Sequence, residues 1–394
     1  MNQTPLRRIA HLDMDAFFAS CELLRYPQLK DQPVVIGGRR VRGFEVAPDD
    51  MADLPLAAFA RLRDYEGRGV ITTATYAARQ FGVGSAMGMM KAAKLCPDAI
   101  LLPADFERYR EFSRRFKAII TDIAPVMENR GIDEVYIDFT EVPGGQREGG
   151  RALARLIQRE ILAYTGLTCS VGVAPNKLLA KLASEMDKPK GITVLYAQDV
   201  PERVWPLACR KLNGIGPKAD ARLQALGLHT LGDVANTDVF TLQARLGRSY
   251  GAWLHRACNG VDERPVEVSS EPVSMSRETT FERDLHPVRD RDTLGQVFTR
   301  LCEQVAADLQ RKAYVGKTIG IKLRDDRFQT ATRDATQEVY TDDATEIRRW
   351  AGQALKRAPL ERPLRLLGVR VGSLLPKAQW LQEQGAHGEQ VDLF

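Results

Sequence analysis

RRIAHLDMDAFFASCE (7–22) and NRGIDEVYIDFT (129–140) are the stretches on which the fold turns. Residues 7–13 read as a short buried strand that ends on Asp13, with a helical pattern from Phe17 to Leu24 behind it. Strands near 125–129 and 134–139 flank the turn NRGID, so Asp133 and Glu134 stand where the second of them opens. Acids at the ends of buried strands are costly unless they bind a cation or are solvated in a cleft. Taken singly, each motif also suits a helix start or a surface turn.

Working outward, PVVIGG (33–38) and GVITTA (69–74) read as strands, followed by an Ala-rich helix, a Gly-punctuated loop at 82–88 and a helix through Leu95. Residues 105–123 carry Phe106, Tyr109, Phe112, Phe116 and Ile119–Ile120 at helical spacing. A Gly-rich loop (143–150), a helix over 151–164 and the strand TCSVGVA (168–174) complete the region. Strand–helix–strand–strand–helix–strand is the order of a split βαβ, ferredoxin-like sheet, with a large insertion after its first strand. The class expected is α+β. Adjacent central strands then bring Asp13, Asp133 and Glu134 together. Three carboxylates from two strands suit phosphoryl transfer, which uses two divalent ions about 4 Å apart on hard oxygen ligands.

The chain has 394 residues, enough for several domains, with 44% hydrophobic and 27% charged residues. Its net charge of +5 tilts only mildly towards an anionic partner. The six cysteines form no CxxC pair or metal spacing, which predicts buried free thiols in a reducing compartment. No signal-like N-terminus and no run of 18 apolar residues occurs, so a cytoplasmic protein without a membrane span is expected. Beyond Asn176 the chain reads as helical to about 258. A polar linker covers 259–273, strands alternate with two helical stretches over 274–372, and a loose Gly/Gln-rich tail runs from 373 to 394.

HLDMDAFFASCE (11–22), TYAARQFGVGSAM (75–87), GIDEVYIDFT (131–140) and LTCSVGVAPNKLLAKLASEMDKPKGI (167–192) resemble the Y-family translesion DNA polymerases, nearest to the bacterial DNA polymerase IV branch. The resemblance implies a right hand: a palm from 1–15 and 105–187, small fingers over 16–104, a helical thumb over 188–258, and an α/β little finger over 274–372. It implies low-fidelity, template-directed addition of deoxynucleotides to a primer 3′-end, without proofreading, by a monomer. The catalytic carboxylates fall on Asp13, Asp133 and Glu134, and the main-chain carbonyl of Met14 completes a site for two Mg2+ ions, with Mn2+ as an alternative. Asp15 resembles a supporting acid. Phe18 matches the steric gate against ribonucleotides, with Phe17 in the core. Tyr76, Arg79 and Lys177 match contacts to the incoming deoxynucleoside triphosphate.

KLNGIGPKADARLQALGLHTLGDV (211–234) fits helix-hairpin-helix units, with Gly214, Gly216 and Lys218 at a primer–template phosphate. VGKTIGIKLR (315–324) alternates, Ile319, Ile321 and Leu323 pointing one way and Thr318, Lys322 and Arg324 the other. Lys322 and Arg324, with Arg333 and Arg370 on other strands, are expected to follow a DNA backbone. The terminal QVDLF (390–394) resembles sliding-clamp peptides, with Gln390, Leu393 and Phe394 as anchors.

The chain departs from the family pattern by an insertion at about 41–67, including Pro48-Asp49-Asp50 and a helix expected over 54–66. It also has Gly131 and Gly88 where the family usually has serine and proline. Two other classes compete: a non-catalytic DNA- or clamp-binding accessory protein, disfavoured because all three acids are present, and a nucleotidyl cyclase, disfavoured by the hairpin glycines and the tail.

Overall fold

In the computed structural model, residues 5–37, 54–269 and 271–388 are described. The expected Pro48-Asp49-Asp50 element and the anchors Gln390, Leu393 and Phe394 lie outside the described residues. The chain divides into two compact units, Met1–Ser269 and Ser270–Phe394.

The first unit opens with β1 (Ile9–Met14), α1 (Phe17–Arg25), β2 (Val34–Gly37), β3 (Ile71–Ala74), the one-turn α2 (Tyr76–Arg79), α3 (Met89–Leu95) and β4 (Ile100–Leu102). Then come α4 (Phe106–Ile123), β5 (Met127–Asn129), β6 (Glu134–Asp138), α5 (Arg151–Thr165), β7 (Cys169–Ala174), α6 (Lys177–Met186) and β8 (Ile192–Val194). The main sheet runs β5-β6-β1-β7-β8, with β1 antiparallel to both neighbours. Its first four strands have the split βαβ order, and β8 adds a parallel edge to β7.

Alternation along β1 divides the faces. Ala10, Leu12 and Met14 pack with Tyr109, Phe112 and Phe116 of α4 and Leu153 and Ile157 of α5. Ile9 faces the other way, against Leu178, Leu179 and Leu182 of α6. His11 and Asp13 share that second face by the same period of two. The acid at the end of β1 therefore faces α6 rather than the larger core.

A smaller sheet runs β3-β2-β4, and the described part of the inserted segment, from residue 54, pairs onto it. Residues 54–66 form two 3₁₀ turns (Leu56–Ala58 and Leu62–Asp64), not the helix expected. Between the turns the backbone is extended and pairs with the open edge of β4: Leu62 N–H donates to Ala99, Arg63 N–H to Pro97, and Leu101 N–H to Ala60. Leu62 and Phe59 are buried. The edge hydrogen bonds outweigh the helical propensity of LAAFARL, because an unpaired strand edge is a standing cost.

Four helices follow: α7 (Pro217–Ala225), α8 (Leu231–Ala235), α9 (Val239–Leu246) and α10 (Arg248–Cys258). The segment after them is no free tether up to Glu267. The Asp262 carboxylate accepts from Leu178 N–H at the start of α6 (3.0 Å), Asn176 donates to the Gly260 carbonyl (2.7 Å), and Glu267 N–H donates to Glu128 (2.9 Å). An acid at a helix N-terminus is favoured by the orphan N–H groups there, which holds this polar stretch down.

The second unit contains β9 (Ser274–Leu285), α11 (Arg291–Arg311), β10 (Tyr314–Asp325), β11 (Thr330–Thr341), α12 (Ala344–Leu355), β12 (Leu364–Pro376) and α13 (Lys377–Gly388). Its sheet is fully antiparallel in the order β11-β10-β12-β9. Ile319, Ile321 and Leu323 are buried with α11 and α12, which leaves Thr318, Lys322 and Arg324 on the open face. Arg370 is opposite Gly320 and shares that face, but Arg333 is opposite Ile321 and donates to the Arg357 carbonyl at the end of α12. Arg333 is thus off the open face, one residue out of the expected phase. The tail expected to be loose from 373 instead extends β12 to Pro376, opposite Tyr314, and continues as α13, anchored by Lys377–Asp342 (2.7 Å).

All six cysteines are buried and free. Among the described residues no helix is long and apolar enough to cross a membrane.

Candidate active site

Asp13 lies directly opposite Glu134 in the β1–β6 register and opposite Ser170 on β7. Opposed residues of an antiparallel pair point to the same face, so the two carboxylates emerge together towards α6. Asp133 is drawn in from the turn, its carbonyl accepting from Met14 N–H at 3.0 Å. Gly131 (φ +159°) lies at this turn, where a Cβ would stand in ordinary contact with the Asp133 and Glu134 side chains.

Cations from α6 and the loop after it meet these acids. Lys188 Nζ is 3.0 Å from Asp13 Oδ1 and 2.6 Å from Glu185, and Lys181 Nζ donates to Glu134 Oε2. Burial pushes the Asp13 carboxyl up to about 6, with Lys188 pulling the other way. Burial, then the Glu134 charge, also raises Asp133. For Glu134, burial opposes ionisation, but the Lys181 ammonium hydrogen-bonded to it holds its carboxyl below the ordinary value.

His11, fully buried beneath the acids, is held neutral by desolvation, its pKa lowered to about 4. Ser184 Oγ spends its proton on the Lys181 carbonyl (2.8 Å), so it accepts from His11 Nδ1 at 2.8 Å. His11 Nε2 is then an acceptor. It faces Lys181 Nζ at 3.3 Å and lies 3.3 Å from Glu134 Oε2, and the ammonium, which also donates to Glu134, bridges the two.

Three hard carboxylates with a high desolvation cost are a donor set suited to divalent cations. As the side chains stand, no three His, Cys, Asp or Glu groups among the described residues converge as a ligand set, since lysine ammoniums hold two of the acids. Asp15 is used differently: it is buried and accepts from Ser170 Oγ (2.7 Å) and Lys190 N–H (3.0 Å).

The turn from β1 into α1 passes through Ala16 in the left-handed region (φ 44°), an uncommon conformation for a residue with a Cβ. It directs Phe17 into the core (2% exposed) and leaves Phe18 half-buried. Tyr76 and Arg79 lie on α2, whose start is fixed by Thr75. The Tyr76 hydroxyl is buried without a hydrogen-bond partner, and burial, then Asp15, pushes its pKa up to about 12. Arg79 lies over the Tyr76 ring at 4.8 Å.

Lys177 does not belong to this group. It is 5% exposed, pairs with Glu128 on β5, and donates to the Pro265 carbonyl at 3.0 Å. An ammonium this enclosed is committed to Glu128 and to the Pro265 carbonyl. Lys188, in the segment MDKPKGI, and Lys181 are the cations at the acids, and sequence reasoning passed over both along with His11.

In the helical region Gly214 has φ +105°, and a Cβ there would meet the Trp253 ring at 2.5 Å. Gly216 precedes α7, with Pro217 at its first position and Lys218 exposed. A cavity of about 420 Å³ separates Lys181 and Glu185 from the 210–216 turn.

The chain that carries this sheet is matched among known proteins. The impB/mucB/samB family matches residues 12–185 and its C-terminal domain residues 272–386, while the thumb domain of DNA polymerase-iota matches residues 210–262. The chain is 38% identical to DNA polymerase IV of Halorhodospira halophila, over 94% of this chain and 96% of that protein. It is 37% identical to DNA polymerase IV of Methanoculleus marisnigri, over 94% and 95%. Among solved structures, a Y-family DNA polymerase chimera aligns with a TM-score of 0.77 at 25% identity, covering 93% of this chain and 99% of that one. An insertion ternary complex of Dbh DNA polymerase gives 0.63, covering 93% and 98% at 25% identity. The fold is that of a Y-family polymerase, with palm, fingers, thumb and little finger. The chain belongs to the impB/mucB/samB family of Y-family DNA polymerases, related to DNA polymerase IV, and that membership supports translesion DNA polymerase activity.

Proposed function

We propose that the chain extends a primer 3′-end on a template by two-metal phosphoryl transfer at Asp13, Asp133 and Glu134, with low fidelity and no proofreading. The observation that carries this reading is the direct opposition of Asp13 and Glu134 across β1 and β6. These carboxylates and the Met14 carbonyl would hold two Mg2+ ions, or Mn2+ in their place. Bound there, the ions would activate the attacking oxygen and stabilise phosphoryl charge. Lys181 and Lys188 neutralise the acids beforehand and then yield them. Lys188, beside Asp13, takes the phosphate-facing role for which Lys177 is unavailable. The unpartnered Tyr76 hydroxyl supplies one hydrogen bond to the triphosphate and Arg79 a forked pair. Phe18, half-buried on α1, excludes a 2′-hydroxyl.

Primer–template DNA would run past the turn at Gly214 and Gly216, with Lys218 beside it, and along the open face carrying Lys322 and Arg324. These two are partly engaged already, by Glu278 and Thr330. The terminal Gln390, Leu393 and Phe394 would engage a sliding clamp. We further propose a monomer acting in the cytoplasm, with palm, fingers, thumb and little finger bounded as the sequence suggests, except that the little finger extends through α13.

Single-nucleotide insertion on a defined primer–template, with Mg2+ and with chelator, tests the proposal. Templated addition that chelator abolishes is expected. DNA binding without addition under either Mg2+ or Mn2+ would favour the accessory-protein reading.

A further inference from the structure

We infer that Glu22, acting through Tyr109, is a positioning residue for Phe18 and so sets the discrimination between deoxy- and ribonucleotides. The inference rests on the reading of Phe18 as the sugar gate. Phe18 and Glu22 are four residues apart on α1 and so lie on one side of it. Between them is Tyr109 of α4, with no exposed surface. Its hydroxyl donates to Glu22 Oε1 at 2.6 Å, and its ring stacks on Phe18, centroids 4.4 Å apart and planes inclined by 19°. Phe106, one turn earlier on α4, meets both rings edge-on, at 5.6 Å from Phe18 and 5.8 Å from Tyr109. One ring is thus held at its polar end by Glu22 and on its face by Phe18.

A carboxyl group 2% exposed is an expensive way to fill this part of the core. A leucine would bury as much apolar surface at no such cost, so the acid is there for its directional bond. Stacked rings slide over one another with little penalty, since each atom contact is individually weak. A hydrogen bond to the phenol fixes how far the Tyr109 ring reaches, and with it where the stacked Phe18 ring stops. Excluding one hydroxyl depends on ring placement at the ångström scale, where a displacement of about 1 Å changes rates by about a hundredfold.

The test is single-turnover insertion of a matched deoxynucleotide and the corresponding ribonucleotide, read as the ratio of kcat/KM. Phe18→Ala should collapse the ratio by about a hundredfold. Tyr109→Phe and Glu22→Leu should each reduce it by about tenfold, while Glu22→Gln, which keeps a carbonyl acceptor for the phenol, should stay within about twofold. The double variant Glu22→Leu/Tyr109→Phe removes both ends of the hydrogen bond and leaves Arg25 its pair with Asp105, so it should melt near the parent yet keep the reduced ratio. That separates selectivity from folding. A normal ratio in the double variant, with Phe18→Ala still collapsed, would overturn the role of Glu22 and leave the gate standing. An unchanged ratio in Phe18→Ala would remove the gate and this inference together.

Discussion

Truncating Leu62 to alanine measures whether the inserted segment is part of the fingers core or lies on its surface. Leu62 is fully buried in a cluster with Val35, Ile71, Met89 and Leu101. Leucine-to-alanine changes in such sites cost about 2–5 kcal/mol, depending on how far the surroundings collapse. One wall here is a short surface 3₁₀ turn that contains exposed Arg63 and follows half-buried Arg61, and such a turn relaxes more readily than a packed helix. The expectation therefore falls near the lower half, at about 3 kcal/mol. Because residues 60–63 pair with 97–101, the loss should appear locally as amide exchange about a hundredfold faster at Leu101 and Ile71. Hydrogen exchange read by mass spectrometry, with urea unfolding alongside, measures both effects. Leu56→Ala, at an exposed site in the same segment, serves as the control and should change stability by less than about 0.5 kcal/mol. Exchange at Leu101 unchanged by Leu62→Ala would refute the idea that the insertion closes the sheet edge.

Three further outcomes follow from the same packing. Asp15→Asn keeps an oxygen for Ser170 but turns an amide N–H towards the Lys190 N–H, so it should cost about 2 kcal/mol in denaturant unfolding; an unchanged midpoint would remove Asp15 as the anchor of the turn. Burial raises the Glu22 carboxyl above its ordinary 4.5, with the Tyr109 hydrogen bond opposing, so the folded state holds its proton longer than the unfolded chain. Stability should therefore fall as pH rises from about 4.5 through the folded value, and Glu22→Gln should flatten that segment of the melting-temperature curve. Gly214→Ala forces a Cβ against Trp253 at positive φ, and should lower thumb stability by about 2 kcal/mol and weaken DNA binding, read by melting and by titration of labelled primer–template.

The main sheet was legible because its strands are apolar runs closed by acids, and because period-two alternation assigns each residue a face. The same rule placed Lys322 and Arg324 on the open side of the second sheet. It failed for Arg333 because the pairing of β11 with β10, which decides its phase, is a tertiary fact. The choice among Lys177, Lys181 and Lys188 was illegible for a related reason. All three sit in one basic stretch, and only the docking of α6 on β1, together with Glu128 waiting on β5, sends Lys177 away from the acids. The helix expected at 54–66 lost to an open strand edge, and the supposed tether was captured by α6, whose first N–H groups needed an acceptor that Asp262 supplies. For the lysines, the insertion and the supposed tether, the competing partner lies far away in sequence.

The most direct measurement is primer extension with Mg2+ and all four deoxynucleotides, comparing the intact chain with Asp133→Ala and Glu134→Gln, with primer–template affinity measured for each. Extension by the intact chain, lost in both variants while DNA remains bound, is the predicted result. Extension that survives either substitution would contradict the assignment of the reaction to the acids at the end of β1 and the start of β6.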